Sequence, residues 1–187
     1  MILTEELRAK LEAMPIAHGA RAARVIDAGE VVLDRAFRDM CAANRCGVYG
    51  KCWMCPPDVG EIDDLMAQLR RYRYALVYQT VTNLEDSFDV EGMAEARKGL
   101  KHISRNIREG WPAAMPDTDA LHLSAGGCGI CAECAKRTNE PCRAPHLAMS
   151  SLEAYGVHVS KLAEAAGMKY INGVNTVTYF GAVFFGK

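Results

Sequence analysis

The chain carries no strong charge of either sign. Over 187 residues, 22 basic and 23 acidic side chains give a formal net charge of −1. No global field therefore draws it to nucleic acid or to an anionic membrane. Aromatics are scarce at 7%, which leaves no evident platform for stacking bases. No apolar run approaches the roughly 18 residues that a membrane helix needs. The most apolar stretch, near the end, is broken by Asn172, Gly173 and Asn175. The opening Met1-Ile2-Leu3-Thr4-Glu5-Glu6 puts acids where a secretory signal has bases and then an apolar core, so no signal peptide is expected. There is no Walker loop, no G-x-G-x-x-G and no arguable Ser–His–Asp set. These absences imply a cytoplasmic protein with neither nucleic-acid nor membrane partners.

What is present is a globular composition, 50% hydrophobic and 24% charged, long enough to bury a core without disulfide staples. A single domain over 1–187 is expected. Thr4 can cap a helix from Glu5 to Met14, ended by Pro15. Ala22–Ile26 reads as a strand. Val31–Leu33 is a strand or the lead into a helix over Asp34–Ala43. Helices follow over Glu61–Arg71 and, by its apolar stripe, Asp89–Glu109, the latter closed by Trp111-Pro112 and Met115-Pro116. A buried strand spans Tyr74–Val81 and a short one Leu121–Leu123. Ser150 or Ser151 caps a helix to Ala166, stopped by Gly167. Val174–Phe185, rich in Val, Thr, Tyr and Phe, is a strand pair or one long strand. Strands alternating with helices predict an α/β fold around a small sheet, with Cys-rich loops at 41–60 and 126–145.

The 8 cysteines divide into two groups of four more than seventy residues apart. Cys41, Cys46, Cys52 and Cys55 form the first; Cys128, Cys131, Cys134 and Cys142 form the second. Clustered thiolates repel unless a cation lies between them, and a reducing compartment forbids disulfides, so the grouping implies metal. In the second group C-x2-C-x2-C is the run by which ferredoxin-type loops wrap three corners of a [4Fe–4S] cube. Its fourth thiol, Cys142, comes after seven further residues and follows Pro141. Zinc sites more often use C-x2-C pairs set further apart. The first group is less regular. Its Cys52-x2-Cys55-Pro56 end suits a second [4Fe–4S] cluster, with a four-thiolate zinc site as the rival. A ligand crossing between the groups remains open. Arg45 and Lys51 flank the first group, and Lys136, Arg137 and Arg143 the second. These cations can offset cluster charge.

These motifs resemble a cysteine-rich family described as predicted metal-binding proteins, a domain of unknown function common in anaerobes. The resemblance rests on Tyr49-Gly50-Lys51-Cys52-Trp53-Met54-Cys55-Pro56-Pro57 and on Cys128-x2-Cys131-x2-Cys134-x7-Cys142-Arg143-x-Pro145. Ser151-x-Glu153-Ala154-Tyr155-Gly156 and Tyr179-Phe180-Gly181 also fit. It implies metal, in iron–sulfur form, and brings no reaction.

His18, His102, His122, His146 and His158 are scattered and read as core or surface residues. Asp58, Glu61, Asp63 and Asp64 suit the start of a helix. The expected function is one-electron transfer through two [4Fe–4S] clusters, held by all 8 cysteines, to or from a redox protein partner. That partner would dock beside Lys51, Lys136, Arg137 and Arg143. The rivals are a redox enzyme with an open, substrate-binding iron and a zinc-stabilised interaction module.

Overall fold

The computed structural model describes residues 2–187. Five strands make one mixed sheet: β1 (Ala22–Asp27), β2 (Tyr74–Asn83), β3 (Ala120–Ser124), β4 (Ser150–Ser151) and β5 (Thr176–Phe185), in the order β1-β2-β5-β3-β4. Only β3 and β4 run parallel; every other pairing is antiparallel. Val174–Phe185 is thus one long strand rather than a pair. It holds the centre of the sheet, where its β-branched and aromatic residues are covered on both faces.

Period-two alternation sorts the central strands between two cores. Ala75, Val77, Ala182 and Phe184 face one side. There they meet α3 (Ile62–Leu69) and α5 (Val159–Ala165) through Leu65, Leu69, Leu162 and Ala163. Leu76, Tyr78, Val183 and Phe185 face the other. They pack on α1 (Glu5–Ala17) and α4 (Val90–Ala114) through Leu11, Leu100, Ile103, Ile107 and Trp111. A helix-sheet-helix sandwich results, as the alternation of elements predicted. The Tyr78 ring lies across β5, so a Cβ on Gly181 would stand 2.4 Å from it. Glycine is what lets the ring pass.

Thr4 caps α1 as read in the sequence, and Asp89 caps α4; the helix expected to be capped by Ser150 or Ser151 begins only at Val159, after His158. Thr4 Oγ1 accepts from the Leu7 amide at 3.2 Å, and Asp89 from the Gly92 amide at 2.7 Å. Two expected stops do not stop their helices, although the second one read for α4, Met115-Pro116, does. α1 runs through Pro15 to Ala17, and α4 through Pro112 to Ala114. Pro15 is buried, and burial outweighs one lost backbone bond close to a helix end. Val31–Leu33 forms only an isolated bridge, Leu33 to Val157, before α2 (Ala36–Ala42). The helix expected over 150–166 is divided. Ser150–Ser151 pairs with β3, a 3₁₀ turn spans Glu153–Tyr155, and α5 begins only at Val159. Gly156 at φ 75 makes the break. A Cβ there would meet the Asp34 carbonyl at 3.2 Å and Ile62 and Met66 at 3.3 Å. Among the described residues no helix is long and apolar enough to cross a membrane.

Candidate metal centre

The two cysteine loops, far apart in sequence, are stitched together. The Trp53 indole donates to the Glu140 carbonyl at 2.9 Å. Lys136 pairs with Asp58 at 2.5 Å and lies over the Trp53 ring at 4.4 Å. Within the first loop, Asn44 at φ 51 turns the chain after α2, and its side chain accepts from the Tyr49 amide at 3.1 Å. Within the second, Cys134 leads into a 3₁₀ turn over Ala135–Thr138, ended by Asn139 at φ 54. Gly127 lets the loops touch: a Cβ there would stand 3.2 Å from Val48 and 3.6 Å from the Cys55 sulfur.

The sequence division into four and four is not the spatial one. Cys52 crosses over: with Cys128, Cys131, Cys134 and Cys142 it lines a narrow hollow of about 340 Å³, counting the part open to solvent. Cys41, Cys46 and Cys55 line a second cavity of about 1590 Å³ on the same count. Cys52 and Cys55 are the wall between them. The Cys52 sulfur takes hydrogen bonds from the Cys55 thiol, from the Cys128 and Met54 backbone amides and from the Cys134 thiol, which push its pKa down to about 5 against burial. Cys55 is pushed up, first because it supplies the proton of that bond, then by burial and by the nearby sulfurs. Burial also raises Cys128, against amide bonds from Ile130 and Met149, and raises Cys41, with Glu153 and Cys46 adding to it. Amides aimed at sulfur are the donors that stabilise a metal-bound thiolate. Among the described residues no three Cys, His, Asp or Glu side chains converge on one single-ion position.

The strongest cations at the site were not singled out in the sequence. Along α4, Arg97, Lys101, Arg105 and Arg108 recur at three- and four-residue spacing, one face of a helix. Lys101 donates to the Gly127 carbonyl, and Arg108 to the Ala148 carbonyl at 3.0 Å. Burial lowers the Lys101 pKa, with Arg97 adding to it, while Cys128, Cys55 and Cys52 pull it back up. Among the described residues none of the four is paired with a carboxylate. The spacing Arg97-x3-Lys101-x3-Arg105 is the signal that would have found them. By contrast, three of the loop cations are engaged. Lys136 is held by Asp58, Arg137 pairs with Glu133 at 3.3 Å, and Arg143 with Glu140 at 3.1 Å.

Sheet, stitched loops and thiol sets define an α/β metal-binding protein. The chain belongs to the family described as predicted metal-binding protein (DUF2284), matched over residues 24–185, which include every cysteine. No curated protein and no solved structure matches the chain.

Proposed function

We propose that the protein holds two [4Fe–4S] clusters, one per thiol set, and carries single electrons to or from a redox protein partner in the reducing cytoplasm. The observation that carries this reading is that the two thiol-lined cavities adjoin, with Cys52 lining one and Cys55, three residues on, lining the other. Centres that share a wall suit electron passage between them. The donor set is also of the right chemistry: sulfur throughout, with amides directed at Cys52 and Cys128 and a cationic helix face alongside. When bound, each cluster would supply one-electron redox chemistry. The chain would hold the sulfurs, shield them through Trp53 and Met54, and offset charge through Lys101. With Lys136, Arg137 and Arg143 tied to acids, Lys51 and Arg45 are the loop cations left to steer an acidic partner.

The uneven division of the thiols favours a second reading, an enzyme. Three thiols line the larger cavity, one fewer than a cubane has irons, so one iron would stay open to a substrate. A zinc-stabilised interaction module is the third. Anaerobic purification with metal and sulfide counting separates iron–sulfur from zinc. The expected result is brown protein with about eight irons and matching labile sulfide. Stoichiometric zinc without sulfide overturns the proposal.

A further inference from the structure

We propose that the cavity beside Cys41, Cys46 and Cys55 is a binding site for a small organic anion, whose carboxylate or phosphate group docks on Arg97 and Arg45. Of the cavity's 1590 Å³, about 590 Å³ is room for the centres of water-sized molecules, within the range of small-molecule sites, and a cluster on the three thiols would take part of it. Its walls are of the kind that bind organic bodies. Phe37, Tyr49 and Tyr170 supply ring surface. Tyr170 is half exposed and is braced from behind by stacking on Phe180 at 6.1 Å.

The polar groups give the ligand its sign. Arg45 and Arg97 both line the cavity. Among the described residues neither is paired with a carboxylate. Gly126 leaves room for Arg97 beside the cavity: the Arg97 Cδ lies 3.3 Å from where a Cβ on Gly126 would be. Lys101, one turn further along α4, adds positive potential. The carboxyl on the wall, Glu153, is occupied by the Ser151 hydroxyl and its own amide and is not joined to either arginine. A guanidinium fork without a partner, facing a roomy aromatic cavity, matches carboxylate or phosphate. The three thiols set the far wall. The inference rests on the iron–sulfur reading only there, because the arginines and rings form the anion site without it.

Benzoate, phenyl phosphate and benzylamine serve as probes, titrated into anaerobic, fully iron-loaded protein at constant ionic strength by calorimetry. The two anions separate carboxylate from phosphate, and the amine controls for binding by the ring alone. Saturable binding of at least one anion is expected, weakened at least about tenfold in Arg97→Gln with Arg45→Gln. Arg97→Lys in the otherwise native chain should keep part of the affinity. Circular dichroism and iron content establish that the variants remain folded and loaded. Absence of saturable anion binding in loaded protein overturns the site, as does equal affinity for benzylamine or an unchanged affinity in the double variant. Failure of the iron count would instead strike the iron–sulfur reading, and anion binding to such protein would still uphold the site.

Discussion

His122 stands on β3 with its ring edge-to-face on Trp111 at 5.5 Å. Burial, and then the charge on Arg108, hold its pKa down to about 3 from an ordinary 6.5. The folded protein therefore keeps the ring neutral where the unfolded chain would take up a proton. The stability this contributes is complete above about pH 6.5 and is lost as pH falls toward 3. His122→Leu should remove that dependence. Urea midpoints of the metal-free chain should fall less between pH 7 and pH 5 in the variant than in the native protein. Equal falls would mean that the ring takes up its proton at the same pH in the folded and the unfolded chain. Nothing in the surrounding sequence announces this environment. Leu121-His122-Leu123 was legible as a strand, but which face of it is buried depends on Trp111, a residue of another element.

At the scale of elements, the legible parts were those governed by their own pattern. The α4 stripe, the central strands and the Thr4 cap all follow from local spacing and local hydrogen bonds. The failures came where a distant partner decided. Gly156 looked like a residue inside a helix, and it became a break because Asp34, Ile62 and Met66 leave no room for a Cβ. Cysteine spacing likewise marked both loops and left open a ligand crossing between them; that Cys52 lines the hollow of the second loop depends on distant contacts, through which Trp53 and Asp58 tie its neighbourhood to that loop. The polar face of α4 was open to the same local reading, and it matters for charge. A cation near a cluster favours the reduced, more negative state. Lys101→Met should lower a midpoint potential by on the order of tens of millivolts, read by anaerobic redox titration, with iron content unchanged. An unmoved potential would show that the Lys101 charge is not felt by the clusters.

For the molecule as a whole, the division of thiols gives distinguishable losses. Cys131 is the middle thiol of the run that wraps three corners of the cube, so Cys131→Ala should shed about half the iron even though Cys52 adds a fifth thiol, and should leave the set of Cys41, Cys46 and Cys55 loaded. Cys41→Ala should shed the other half. Cys52→Ala should disturb both, because its sulfur bonds Cys55 and Cys134 alike. Iron and sulfide counts beside low-temperature paramagnetic spectra of the three variants read the difference, and a Cys52 variant indistinguishable from Cys131→Ala would place Cys52 in one set alone. The position of β5 adds a matter of timing. It is the middle strand of the sheet and follows every other strand in the chain. Until residues 176–185 leave the ribosome, β1-β2 and β3-β4 have no strand between them and meet through α4. Synthesis runs at about 5–20 residues per second, so all the cysteines, the last at 142, emerge seconds before the frame that aligns them can close. Over that interval the nascent chain offers eight uncommitted thiols. Metal delivered after release would find both sets in place, whereas metal delivered earlier would meet loops not yet brought together.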